Sequence, residues 1–280
     1  MNKMLVFQSD FGLGDGAVSA MEGVAFGVDP TLNIRHLTHE ITPFNVFEAS
    51  YRLYQTINYW PVDTVFVSII DPGVGSDRMS VVAKTKTGQY IVTPNNGTLT
   101  HIKKFVGIEE VRQIDESVNR LKGSGESYTF HGRDVYAYTG ARLASETITY
   151  EQVGPTVSVD AIEMLELYGS HIEEDGTVEG QVDILDVRFG SLWTSVTYED
   201  FKTLNLQYGD KVNVQIFNQS KCVYEADITY GHSFADVRTG SPVVYMNSVN
   251  HMAVAINQGN FADAYRIGTG SSWLISFKRF

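Results

Sequence analysis

Apolar and polar positions change their period twice along the chain. Residues 4–8 form a short apolar run that stops at Ser9-Asp10-Phe11-Gly12, and Val18, Met21, Val24 and Ala25 then recur at helical spacing. Residues 33–37 read as a second strand, and Val46, Ala49, Leu53 and Ile57 mark one face of a second helix. Residues 65–70, Val-Phe-Val-Ser-Ile-Ile, are almost continuously apolar, as expected of a strand covered on both faces. Strand-like runs at 80–84 and 89–92 follow, and a helix is expected from near Gly132 to about Ala144. Strands alternating with helices predict an α/β domain built on a largely parallel sheet.

Past residue 165 the pattern changes. Residues 170–180, SHIEEDGTVEG, are polar, acidic and glycine-bearing, which marks a linker or surface turn. Short strand-like runs then follow at 181–185, 192–196, 211–217, 243–246, 252–256 and 272–277, separated by turn signals. This spacing predicts a smaller all-β, barrel-like domain. The expected organisation is an N-terminal α/β domain over 1–165, a linker over 166–180 and a C-terminal β domain over 181–280.

Composition narrows the function. The 280 residues are 43% apolar, but no run approaches the roughly 18 apolar residues of a membrane span. A formal charge of −12 with no basic block argues against nucleic acid, whose affinity rests on phosphate neutralisation. Cys222 is the single cysteine, and no leader-like segment precedes the first strand, so a reduced, cytoplasmic setting is expected.

Chemistry is expected at strand ends, because ligands of open α/β sheets gather outside the carboxyl ends of the strands. Ser9-Asp10-Phe11-Gly12, Asp71-Pro72-Gly73-Val74-Gly75 and Pro94-Asn95-Asn96-Gly97 each close a predicted strand. Each alone reads equally as an ordinary turn; on a parallel sheet all three meet at one rim. The Asp-Phe-Gly at position 10 lacks the upstream catalytic loop of a protein kinase. Gly12-x-Gly14-x-x-Ala17 matches a loose dinucleotide fingerprint, which would make the chain an NAD-dependent oxidoreductase. However, the second strand ends in His36-Leu37-Thr38-His39-Glu40 instead of a clear ribose-binding acid. Asp10, at the end of the first strand, is placed to pair a vicinal diol such as ribose. Asp15 is expected to cap the first helix. Asp71 and Arg78 flank a glycine turn that can fold them into an ion pair, and His131 opens a predicted helix. His36, His39 and Glu40 lack the order of a metal-binding helix, and no metal site is expected.

Taken together, the segments SDFG from Ser9, THEITPFNVFEAS from Thr38, DPGVGSDR from Asp71, PNNG from Pro94, TFHGRD from Thr129, DVRFGSLWT from Asp186 and NSVNHMAVAINQG from Asn247 resemble the S-adenosyl-L-methionine (SAM) hydroxide adenosyltransferases. These are SAM hydrolases related to bacterial fluorinase and chlorinase. The resemblance covers nearly the whole chain and implies a homotrimer with SAM sites at subunit interfaces. It also implies that SAM is a substrate and that no cofactor is used. By motif, Asp71, Arg78 and His131 match the hydrolase triad, whose aspartate the halogenases replace with tyrosine. A carboxylate repels a halide but can accept a proton from water, so Asp71 implies water as the nucleophile. Asp10 would hold the ribose and Phe44 would lie beside ribose and methionine; Asn95 falls in the third strand-end motif and counts as a substrate-binding candidate. Asp186 would meet the methionine ammonium group, Ser248 its carboxylate and Phe234 the adenine, with Asn257, Gln258 and Gly259 near the base. Ser191 stands where the family commonly has an asparagine that reaches the adenine. The implied activity is hydrolysis of SAM to adenosine and L-methionine; the alternative is a non-catalytic SAM or adenosine sensor.

Overall fold

In the computed structural model, which describes residues 3–279, the chain divides into two compact units, Met1–Leu165 and Glu166–Phe280. Among the described residues no helix is long and apolar enough to cross a membrane.

The first unit is a sheet of seven strands, β1 (Met4–Ser9), β2 (Asn33–Thr38), β3 (Val65–Ile69), β4 (Ser80–Thr85), β5 (Tyr90–Pro94), β6 (Ile108–Gln113) and β7 (Thr156–Val157), ordered β2-β1-β3-β5-β4-β6-β7. Pairing is parallel across β2-β1-β3-β5 and antiparallel across the rest. The parallel half carries the buried, continuously apolar strands, because helices cover both of its faces. On one face α1 (Ala17–Val28) packs Val18, Met21 and Ala25 onto Leu5, Phe7, Val65 and Val67. On the other, α2 (Val46–Ile57) buries Leu53 and Ile57 against Val6, Phe66 and Ile91. Asn45 caps α2 by accepting the amide of Glu48 at 3.0 Å. Asp15 accepts the amide of Ala17 at 2.9 Å, one residue outside the formal cap of α1. A short helix, α3 (Glu116–Asn119), follows β6. A π-helical turn, Gly132–Ala137, opens α4 (Tyr138–Ala144) where the helix was expected.

The second unit closes on itself. Strands β9 (Val178–Leu185), β10 (Leu192–Thr197), β11 (Lys211–Asn218), β12 (Lys221–Tyr230), β13 (Pro242–Met246), β14 (His251–Ile256) and β15 (Trp273–Lys278) run β9-β10-β14-β13-β12-β11-β15, and β15 pairs back onto β9. The result is a seven-stranded barrel around Val182, Leu192, Val214, Ile228, Val254 and Phe277. A two-residue strand, β8 (His171–Ile172), pairs antiparallel with the outer edge of β9. The stretch 166–180, expected as a linker, therefore carries β8 and the start of β9 and belongs to the second unit. Its acidic and glycine residues form the turn of this hairpin. Two short helices, α5 (Tyr198–Phe201) and α6 (Phe261–Tyr265), pack Phe201, Phe261 and Ala262 onto the barrel core.

Candidate active site

Parallel pairing of β1, β3 and β5 brings their carboxyl ends to one rim; Ser9 lies beside Ile69 in register. Asp10 and Asp71 therefore emerge side by side. They line a cavity of about 330 Å³ whose walls are otherwise largely apolar, with Phe11, Phe44, Phe130, Ile69 and Val74, and with His131 among them. Phe11 and Phe130 meet edge to face at 5.8 Å.

The first loop is held by a chain of hydrogen bonds. The Ser9 hydroxyl lies 2.7 Å from His39 Nδ1, His39 Nε2 lies 2.7 Å from His36 Nδ1, and His36 Nε2 lies 2.8 Å from Glu22. Burial, reinforced by His36, pushes the His39 imidazole down to about 4, so it is neutral at pH 7. The Gly12 amide donates to the His39 carbonyl at 2.8 Å, and Gly12 has φ +65°, a conformation a side chain disfavours. Histidines that could be taken for metal ligands are thus a brace behind Asp10. Asp10 Oδ2 accepts the Phe44 amide at 2.8 Å, and its remaining lone pairs stay available to a diol. Phe44 itself has φ +68° and is 71% exposed, so its ring is offered to the cavity and not to the core.

Arg78 folds back across the glycine turn as expected. Its Nε donates to Asp71 Oδ1 at 2.5 Å and its Nη2 to Asp71 Oδ2, a two-pronged pair. Only 9% of the Arg78 side chain and 7% of Asp71 are exposed. Burial alone would lower the Arg78 pKa, but the hydrogen bond and charge of Asp71 more than reverse it, and the net shift is upward. His131 is buried, with Nδ1 3.4 Å from Arg78 Nη2. Its pKa is pushed down, chiefly by burial; Glu116 and Asp71 oppose this and Arg120 and Arg78 add to it. The three residues expected from the sequence are brought together in space: Asp71 and His131 line the mostly apolar cavity, and Arg78 pairs with Asp71 from outside its lining.

Asn95 is placed differently from the expectation that it meets substrate. It is 3% exposed, and its side chain donates to the Ala161 carbonyl and accepts the Glu163 amide, both at 2.9 Å. Both ends of the amide pin the returning segment 161–163, and the residue is not among those lining the cavity. Its neighbour Asn96, which the sequence did not single out, donates to the Ile70 carbonyl at 2.8 Å and so tethers the residue before Asp71.

In the second unit a separate pocket of about 570 Å³ is lined by Phe189, Phe234 and Asn257-Gln258-Gly259, with Arg188 and Asn260 at its edge. Phe189 is 67% and Phe234 39% exposed, two aromatic faces available to a flat ring. Phe189 was legible only as part of the DVRFGS segment. Gly190 has φ +63°, and a Cβ there would fall 1.7 Å from Asn260 Oδ1, so only glycine fits after Phe189. Asp186 sits at the base of this loop, accepting the Arg188 amide at 3.3 Å. Ser191 is 1% exposed and does not line the pocket; its hydroxyl is a hydrogen-bond partner of the buried Tyr245. The serine that replaces the amide is thus buried beside Tyr245, whose ring meets Phe234 of the pocket at 4.9 Å. Ser248 is exposed in the turn between β13 and β14. Among the described residues, His171, Glu173 and Glu179 have ligand atoms within 4.8 Å of one another, and His171 Nε2 already lies 2.9 Å from Glu173 and 3.6 Å from Glu179 on the β8–β9 hairpin.

Comparison with known proteins agrees with this layout. The model of the SAM hydroxide adenosyltransferase N-terminal domain matches residues 5–154, and that of the C-terminal domain matches 180–274. The chain is similar to a protein from Methanocaldococcus jannaschii named (R)-S-adenosyl-L-methionine hydrolase, 34% identical over 218 residues, 76% of this chain and 73% of that one. It is 25% identical to a fluorinase from Actinopolyspora mzabensis over 96% of this chain and 95% of that one. A crystal structure of an uncharacterized conserved protein from Thermotoga maritima superimposes with a TM-score of 0.89 at 32% identity, covering 99% of this chain and all of that one (100%). With both domain models matched in order, with Asp10, Asp71 and His131 lining one cavity and with Arg78 paired to Asp71, the chain belongs to the SAM hydroxide adenosyltransferase family.

Proposed function

We propose that this protein hydrolyses S-adenosyl-L-methionine to adenosine and L-methionine, with Asp71, Arg78 and His131 around the attacking water. The observation that carries the reading is the Asp71 carboxylate at the cavity end, forked by Arg78 and beside His131. A carboxylate in that place repels a halide and accepts a hydrogen bond from water. The M. jannaschii relative, which its name describes as a hydrolase, adds support at 34% identity.

The reaction is an in-line displacement at C5′. The water oxygen forms the new C5′–O bond as the C5′–S bond breaks, and the bonding pair goes to sulfur to give the neutral thioether of methionine. Asp71 accepts the proton that water loses and passes it to solvent. The positive sulfur is already a good leaving group, so the step needs no metal, cofactor or acid. The contribution of the protein is to place one water and exclude others, which the aromatic walls favour. Asp10 holds the ribose and Phe44 lies beside it. Phe234 and Phe189 offer faces for adenine, and Asp186 and Ser248 are the candidates for the methionine ammonium and carboxylate. A homotrimer with sites at subunit interfaces and a cytoplasmic location complete the proposal; family resemblance supports the first, and the composition supports the second.

Incubation with SAM in oxygen-labelled water tests it. One label should enter the 5′-hydroxyl of adenosine, with each sulfonium epimer assayed separately because the relative's name specifies (R). Tight binding with no adenosine released would instead favour the SAM-sensor alternative, and 5′-halo-adenosine in the presence of halide would overturn the choice of water.

A further inference from the structure

Neutral imidazole has one donor nitrogen and one acceptor nitrogen, whereas guanidinium nitrogens only donate. His131 is nonetheless approached by guanidinium groups at both nitrogens: Arg120 Nη2 lies 2.9 Å from Nε2, and Arg78 Nη2 lies 3.4 Å from Nδ1. Only one can be a hydrogen bond. The Arg120 contact has the normal length, while Arg78 Nη2, at 3.4 Å, stands beyond ordinary bonding range of the ring. We propose that Arg120 is a positioning residue that fixes His131 as the Nδ1–H tautomer, so that the imidazole presents a hydrogen-bond donor, and not a base, toward the water held by Asp71. The inference rests on the hydrolase reading for its consequence but not for its geometry.

Arg120 is held in place from several sides. Glu116 Oε2 accepts from its Nε at 3.2 Å and its Nη2 at 2.6 Å, and the Tyr128 ring lies under the guanidinium at 4.8 Å. Its side chain is only 12% exposed, and Nη1 is buried without a partner. A buried cation with an unmet donor costs stability, and an apolar side chain would pack there more cheaply. That cost has a counterpart if the arginine orients His131. The division of labour then follows. Asp71 accepts one water proton, His131 Nδ1–H donates to one lone pair, and the other lone pair is left to face C5′. The charged and titratable groups around the ring are Asp71, Arg78, Glu116, Arg120 and Tyr128, with Tyr136 beyond Arg78. With two cations against two carboxylates, and with burial, the ring stays neutral, as the tautomer requires.

The test is long-range nitrogen–proton NMR of the imidazoles in the full chain without substrate, with His131 assigned by loss of its signals in His131→Gln. The expected wild-type pattern is protonated Nδ1 and bare Nε2; a protonated Nε2 would overturn the proposal. Arg120→Met removes the donor but keeps the apolar stem. It should move the proton to Nε2 or to a mixture, raise the His131 titration point, and lower kcat about tenfold with KM little changed, as expected for loss of one orienting hydrogen bond. Arg120→Lys should restore part of each. Glu116→Gln, which keeps Arg120, should retain the tautomer and shift the titration point the opposite way. An unchanged tautomer and titration in Arg120→Met would refute the role. The tautomer is read without SAM, so a wrong tautomer in an active hydrolase sinks this inference alone. The right tautomer in a protein that never releases adenosine sinks only the hydrolase reading.

Discussion

Replacing Asp71 with asparagine keeps the shape of the side chain and removes its charge, leaving Arg78 buried without a counterion. Arg78 and Asp71 are 9% and 7% exposed and joined by two hydrogen bonds, so the pair is a desolvated one. Removing one partner of such a pair costs about 3–5 kcal/mol, because the other is left as an uncompensated charge. Asparagine still offers one acceptor oxygen, so Asp71→Asn should fall near the lower end and Asp71→Ala near the upper. For a unit of this size 1 kcal/mol corresponds to about 2–4 °C, so the melting transition of the first unit should drop by ~6–12 °C for asparagine. Removal of Arg78 as well should recover part of the loss. In a cycle of Asp71→Ala, Arg78→Ala and the double variant, followed by urea denaturation, the double should be about 2 kcal/mol more stable than additivity predicts. Turnover should fall ~100- to 10,000-fold in Asp71→Asn, the usual contribution of a positioned proton acceptor. Full activity in Asp71→Asn would refute the assignment of the water site, and additive singles within about 0.5 kcal/mol would refute the pairing energy.

Other consequences can be checked independently. His39 titrates near 4 in the folded state but near its ordinary value when unfolded, so the unfolded chain binds the extra proton first. Its contribution should therefore be intact above about pH 6.5 and be lost as pH falls toward 4, and His39→Asn should flatten that part of a plot of urea midpoint against pH. Asn95→Ala should destabilise the first unit by about 1–3 kcal/mol through the orphaned Glu163 amide and Ala161 carbonyl, while KM for SAM stays unchanged; a raised KM with normal stability would return Asn95 to the substrate site. Phe44→Ala should do the reverse: because the ring is exposed, stability should stay within about 0.5 kcal/mol while KM rises ~10-fold, equivalent to ~1.4 kcal/mol of lost binding.

Local pattern was enough to locate most elements, because burial on one or both faces of a strand or helix leaves a period in the sequence. The runs at 65–70 and 46–57 are legible for that reason. Four strands escaped: β7 and β8 are only two residues each, and β6 and β12 mix charged residues with buried ones. In β12, Tyr224, Ile228 and Tyr230 face the core between exposed Glu225 and Asp227, and an irregular register near Cys222 breaks the alternation. Barrel closure was also beyond a local reading, since the pairing of β15 with β9 joins residues almost a hundred positions apart.

The same division holds at the site. Asp10, Asp71, Arg78 and His131 were legible because strand ends, a glycine turn and a helix start each leave a local signature; parallel pairing then brings Asp10 and Asp71 to one rim, where Arg78 pairs with Asp71 and lies beside His131. The sequence by itself thus determined the two-part architecture, the family and the reactive side chains. Only tertiary structure decided how the polar residues divide between substrate and scaffold. Asn95 and Asn96 are adjacent and chemically identical, yet one pins segment 161–163 and the other tethers Ile70, because their partners come from distant strands and loops. Ser191 is buried beside Tyr245 while Phe189, two residues earlier, is exposed. Arg120 reaches His131 from a helix end with no motif around it. Hydrogen-bond partners and burial are properties of three-dimensional neighbours, and spacing along the chain does not carry them.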